Sequence, residues 1–268
     1  MAVHGTEMQE LAHWWLAPLS GAALHTIEPW AYWHARVMVA AWALLLPAGA
    51  LLARFGKVHS RSGWPQRLDD KRWWHGHRAL QYSGMALTLL GLALAWNMGS
   101  RPGAVAQWHH LLGWVVVAMG GLQVLGGWLR GSKGGPTDRQ MRGDHYDMTL
   151  RRRAFERQHK TTGWLSLLFA IAVIALGLTV SDAPRWMALV LLLWFALVFA
   201  AFASLQRTGR CSDTYQAIWG PDPVHPGNAL RPSGWGVRRL VDGSSTGLAS
   251  AIAQTGSKTL QAPHDHRP

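Results

Sequence analysis

The sequence predicts an all-α membrane protein of five transmembrane helices, the first four forming an up-down bundle. Three observations carry this. Five mostly apolar runs, at 31–53, 75–97, 108–129, 159–180 and 186–205, each hold about 20 residues, enough to cross ~30 Å of hydrocarbon at ~1.5 Å per residue. Lys and Arg crowd every second connection. One histidine sits near the start of each of the first four runs, at His34, His77, His109 and His159.

Residues 1–30 hold no Lys or Arg and carry Glu7, Glu10 and Glu28, so they lack the basic start of a signal peptide and are expected to form an outer N-terminal segment. Trp14 and Trp15 suit headgroup depth, as do Trp30, Trp33, Trp73, Trp74, Trp108 and Trp186 at the ends of runs. The connection after the first run holds Arg54, Lys57, Arg61, Arg67, Lys71 and Arg72, whereas the next holds only Arg101. The third holds Arg130, Lys133, Arg139, Arg142, Arg151, Arg152, Arg153 and Arg157, and the fourth only Arg185. By the positive-inside rule the N-terminus lies outside and the C-terminus in the cytoplasm, in an inner (cell) membrane crossed several times. A net charge of +12 would suit a nucleic-acid binder, but such a protein has no reason to alternate basic loops with apolar 20-mers, so nucleic acid is excluded as a partner and the bilayer is expected. Residues 207–268 are rich in Gly, Pro, Ser and Arg with little apolar period, which predicts a mostly disordered cytoplasmic tail, with WGPDPVHPGN as a short docked loop. The lone Cys211 permits no disulfide, and no C-x-x-C-H occurs, which excludes covalent haem.

Fourteen histidines are more than any one site needs. His4, His13, His25, His59, His145, His225, His264 and His266 lie in loops or termini. Within His75/His77 and His109/His110, neighbours on a helix diverge by ~100°, so one of each can face a given site. His77 is deeper and continues into Leu80, Gln81 and Gly84, while His109 has Gly113 one turn on, where His110 has Trp114; His159 has Gly163 at the same offset. An imidazole inside a bilayer is costly and normally partnered. Runs one and three descend from the outside and runs two and four return. His34 and His109 therefore share the outer depth, and His77 and His159 the inner one. Two bis-histidine haems, on the order of 20 Å apart from ~1.5 Å rise per residue, are the economical reading: an electron path with no open iron position and no catalytic residue. Gln81 and Gln123 are candidate donors to ligand rings or propionates. Arg36 near the outer pair, and Arg72, Arg78, Arg152, Arg153 and Lys160 near the inner one, could pair with propionates or an anionic reductant.

HARVMVAAWALLLPAGALLARF from His34 resembles the first core helix of the cytochrome b561 domain of bacterial and DOMON-linked members. HRALQ at His77, HHLLG at His109 and HKTTG at His159 resemble its next three motifs, the third matching His-x-x-Leu-Gly through His109, Leu112 and Gly113. The resemblance spans about residues 30–206. It implies two non-covalent haem b groups and transmembrane electron transfer, with His34, His77, His109 and His159 as axial ligands. Eukaryotic members carry an extra helix before the core; here the fifth run follows it, and the basic loop 130–158 is long, so no donor or acceptor is carried over. A ferric reductase-like activity, the identity of donor and acceptor, and a homodimer are left open. The alternative readings are a quinol-oxidising cytochrome b subunit, against which one ligand per helix argues, and a histidine proton path, which the absence of Asp or Glu from the five runs disfavours.

Overall fold

A computed structural model describes residues 2–96, 102–130, 150–223, 225–229, 231–232 and 234–240. Among these the chain is all-helical, with five helices long and apolar enough to cross a membrane. Helix α1 (Ala2–Leu16) precedes the first span. That span runs Pro29–Phe55 as α2 (Pro29–Val39), a π-helical segment (Ala40–Leu45) and α3 (Leu46–Phe55). The others are α4 (Arg72–Trp96), α5 (Ala104–Leu129), α6 (Leu150–Val180) and α7 (Arg185–Arg207). Short helices α8 (Thr214–Trp219) and α9 (Pro226–Ala229) follow.

The π segment has a local cause. Pro47 offers no N–H to the carbonyl four residues back, Ala43, and its ring crowds that position. A freed carbonyl in an apolar interior needs a donor. Trp194 of α7 supplies one, its indole N–H donating to Ala43 O at 2.8 Å, so the helix defect fastens the fifth span to the first. Trp194→Phe is expected to cost about 1 kcal/mol, the usual scale of a hydrogen bond between membrane helices. Thermal unfolding in detergent would show it, and an unchanged transition would mean the carbonyl finds another donor.

The first four spans form two antiparallel layers. In one, α4 lies along the first span; in the other, α5 lies along α6. Glycines on α4 set the close approach in the first layer: a Cβ at Gly84 would meet Leu46 Cδ2 at 2.7 Å, and one at Gly91 would meet the Met38 side chain at 3.0 Å. The layers face each other across a slot whose centre is filled by Trp42, Leu46, Val116 and Ala170, with Met38, Met85 and Val173 packed against them. Outward-facing Leu192, Leu193, Leu197 and Phe199 of α7 are exposed, the inside-out pattern of a lipid-facing helix.

Two expectations need correction. Helix α6 begins at Leu150, nine residues before His159, so RRRAFERQ is helical and His159 is not near its helix start. The segment is supported by i,i+4 ion pairs from Arg152 and Lys160 to Glu156, at 3.2 and 2.5 Å. Residues 131–149 of the basic loop, including His145, lie outside the described residues.

The second correction concerns the tail, whose described residues between 211 and 240 form a packed lobe with Cys211, Asp213, Tyr215, Gln216 and Trp219 buried. Asp213 caps α8, accepting from Tyr215 N–H at 3.0 Å, and pairs with Arg239 at 3.0 Å. Arg239 also donates to the carbonyls of Gly227 and Asn228. The WGPDPVHPGN stretch is docked: Trp219 stacks on His225 with centroids 4.7 Å apart and donates to Asn228 Oδ1 at 3.0 Å. This order comes from side chain-to-backbone bonds, which leave no apolar period in the sequence. Residues 241–268, with His264 and His266, lie outside the described residues. At the opposite end, residues 17–20 are stitched to the α6–α7 turn by Leu19 N–H to Ala183 O at 3.0 Å and Ser20 Oγ to Asp182 Oδ2 at 2.6 Å.

Candidate functional site

The slot brings the four histidines together as two pairs. His34 of α2 faces His109 of α5 with ring centroids 6.3 Å apart and planes at 77°. His77 of α4 faces His159 of α6 at 6.3 Å and 80°. Each pair joins one ring from each layer, and the pairs sit at opposite ends of the bundle. Because His34 bonds the Gly91 carbonyl of α4, on which His77 also lies, the fourteen intervening steps at ~1.5 Å put the pairs about 21 Å apart along the axis.

The hydrogen bonds show how the rings are aimed. Nδ1 of His34 meets Gly91 O at 2.8 Å, Nδ1 of His77 meets Gly49 O at 2.9 Å, and Nδ1 of His109 meets Val173 O at 3.0 Å. A carbonyl only accepts, so Nδ1 carries the proton in all three and Nε2 keeps its lone pair. Every one of these bonds stays within a layer, which leaves Nε2 to point across the slot. For His159 the group beside Nδ1, at 2.7 Å, is the side-chain amide of Gln123 on α5.

These distances can be compared with a metal held between two rings. Bonds of about 2.0 Å from a metal to each imidazole nitrogen, with about 1.1 Å more from each nitrogen to its ring centre, separate the centroids by roughly 6.2 Å. Both pairs have that spacing, and both present unprotonated nitrogens wherever the tautomer is set by a carbonyl. Among the described residues no cluster of three or more His, Cys, Asp or Glu could hold a metal ion. Around His77 and His159 there is a cavity of about 650 Å³ reaching inward to Trp42, Leu46 and Met85.

Other residues singled out from the sequence fall into place unevenly. His110 is exposed and accepts from Trp114 Nε1 at 2.9 Å, and His75 is also exposed; neither faces the slot. Gln81 donates to Leu46 O at 3.0 Å and lines the cavity. Arg78, Arg152 and Lys160 line it, but Arg72 instead pairs with Asp70 at 2.6 Å and Arg153 is exposed away from it. That pairing holds the Asp70 carboxyl down at about 2. Arg36 stacks on Tyr32, 3.7 Å from the ring centre.

Sequence reasoning missed several participants. Arg54, Lys57, Lys71 and Arg130 add to the cavity wall, which carries seven cationic side chains against Asp69 and Glu156. Burial lowers the Lys57 ammonium to about 8, and its Nζ donates to Arg54 O and Ser212 O at 3.2 and 3.4 Å. Tyr215 of the lobe donates to Glu156 Oε1 at 2.9 Å and accepts from Arg152 Nε at 3.2 Å; burial beside that carboxylate pushes its phenol up. The glycine that makes room for His109 is Gly177, where a Cβ would stand 2.9 Å from His109 Cε1, whereas Gly113 has open space around it. Helix-partner glycines of this kind have no spacing signature relative to the histidine they serve.

No family model matches the chain, and no solved structure matches it. Curated proteins do. A cytochrome b561 and DOMON domain-containing protein of Arabidopsis thaliana is 26% identical over 149 residues, 56% of this chain and 31% of that protein. A second from the same plant is 26% identical over 157 residues, 57% of this chain and 33% of its own length. Ferric-chelate reductase 1 of Bos taurus is 27% identical over 146 residues, 54% of this chain and 22% of its own length. The chain thus spans a third or less of the length of these relatives. The family resemblance carried by the four histidine motifs is met here: over about half its length, this chain has the cytochrome b561 domain proteins as its relatives.

Proposed function

We propose that the chain carries electrons across a membrane through two haem b groups, one between His34 and His109 and one between His77 and His159. The observation that carries this reading is the repeated cross-slot geometry: 6.3 Å centroid spacings, with Nδ1 committed to a carbonyl in three rings of the four. The names of the relatives support a b-type cytochrome and electron transfer as the coarser statement. Haem, when bound, supplies a one-electron iron couple whose potential is tuned by its axial ligands and their surroundings. His34 and His109 would hold one such group and His77 and His159 the other, and the chemistry it would supply there is one-electron transfer rather than binding of oxygen or substrate. The residues between the pairs, Trp42, Leu46, Val116 and Ala170, keep water from the path.

The basic loops supply the orientation. The His77–His159 end borders Arg54–Arg72 and Arg130, rich in cations, while the His34–His109 end borders the N-terminal segment without Lys or Arg. The first is therefore the cytoplasmic end and the second the outer one. The cationic wall of the cytoplasmic cavity suits the propionates of a haem or an anionic reductant. The test is a pyridine haemochrome assay with a redox titration of the purified full chain. About two b haems per chain, titrating as two one-electron steps, are expected; well-folded chain purified without haem would overturn the proposal.

A further inference from the structure

Three of the four rings are anchored by backbone carbonyls, and His159 is the exception. Along antiparallel α5 and α6, the step from His109 to Gln123 equals the step from His159 to Val173. Residue 123 therefore stands opposite His159 in the same register that sets Val173 opposite His109. At that place a side-chain amide meets the ring where the other sites use a fixed carbonyl.

An amide can present either of its ends. With its oxygen toward Nδ1, Gln123 accepts the ring proton and its nitrogen donates to Thr162 Oγ1, whose hydroxyl donates to Gln158 O at 2.6 Å. With its nitrogen toward Nδ1, Gln123 donates to the ring at 2.7 Å and to the His159 carbonyl at 3.0 Å. Its oxygen then accepts from Gly163 N–H at 3.2 Å and from the Thr162 hydroxyl. The second arrangement satisfies every one of these groups, and a metal-free ring favours it; the first holds the ring proton but sets the amide oxygen 3.0 Å from the His159 carbonyl and the amide nitrogen 3.2 Å from Gly163 N, so it needs the bare Nε2 to be used. The first leaves Nε2 bare and facing His77; the second requires the proton on Nε2, which is then no ligand.

We propose that Gln123 is a positioning residue for His159, a rotatable partner that selects the tautomer of this one ring and sets the second site apart from the first in potential. The proposal rests on the two-haem reading above. An acceptor on the outer nitrogen of a ligating histidine raises its basicity, and such partners typically matter by 10–100-fold. Basicity favours the ferric state.

Gln123→Glu, which offers only acceptors when ionised, is expected to lower the ferrous-to-ferric ratio of the second site about tenfold at fixed potential, or about 59 mV for a one-electron couple. Gln123→Met, which offers no strong acceptor, is expected to shift that ratio the other way and to lower haem retention at the second site about tenfold. The measurements are redox titration and the low-temperature electron paramagnetic resonance g values of the full chain in detergent, with His77→Ala assigning the second-site signals. The first site should be unmoved in both variants, which also reports that they fold. Two haems with unchanged second-site potential and g values would overturn this proposal and leave electron transfer standing. Loss of both haems alike from the variants would overturn it too, because an action through His159 reaches one site. A parent chain without haem would overturn the reading beneath it.

Discussion

Alanine at His77 or His159 is expected to leave one haem of two, the one at the His34–His109 end, and alanine at His34 or His109 to leave the other. Each ring belongs to one pair, the pairs are about 21 Å apart along the axis at ~1.5 Å per residue, and each anchor bond lies within its own layer. Nothing at one end depends on a ring at the other. His75→Ala and His110→Ala, both exposed positions beside a paired histidine, serve as controls and should keep two haems. A ligand present at about a hundred times its dissociation constant stabilises the state that binds it by about 2.7 kcal/mol, so each paired-histidine variant should also unfold earlier by at least that scale. Haem per chain by pyridine haemochrome, read beside a melting curve, decides it. Two haems in His77→Ala, or loss from His110→Ala, would mean the rings across the slot are not the ligands.

Removing the Arg152 guanidinium is expected to cost about 3–5 kcal/mol, the scale for breaking a buried ion pair and leaving one charge behind. Arg152 and Glu156 have side chains only 4% and 7% exposed, and Glu156 also holds Tyr215 and Lys160. Because Tyr215 belongs to the C-terminal lobe, the same change should detach the lobe from α6. Near-ultraviolet circular dichroism, which senses the packing of Tyr215 and Trp219, should fall along with the unfolding temperature. Arg152→Met combined with Glu156→Leu should recover much of the loss, since an apolar pair of similar volume replaces the charges without stranding either. Single-variant effects below about 0.5 kcal/mol would place the pair in solvent instead.

The five spans were legible because a membrane helix must be about 20 residues of apolar side chains, a constraint written along the chain itself. The grouping of His34 with His109 and of His77 with His159 followed from counting crossings. The anchors were not legible. Gly91, Gly49 and Val173 act through carbonyls that every residue possesses, and Gly177 acts by what it lacks. The start of α6 was misplaced because RRRAFERQ is polar, and its support is a set of ion pairs one turn apart. The lobe at 211–240 was missed for a related reason: Asp213, Asn228 and Arg239 organise it through loop carbonyls and a helix cap, and composition alone resembles a flexible tail.

The anchoring scheme bears on how such a molecule is assembled. Because every Nδ1 is satisfied within its own antiparallel hairpin, each half finishes aiming its two imidazoles without reference to the other. The first hairpin is complete when residue 96 has left the ribosome, well before the second exists. What joins the halves is the central seam and the C-terminal lobe, which bonds Lys57 on one side and Glu156 on the other. On the two-haem reading proposed above, loading of the cofactor would also tie two prefabricated halves together near each end, and a chain starved of it would rely on the seam and the lobe.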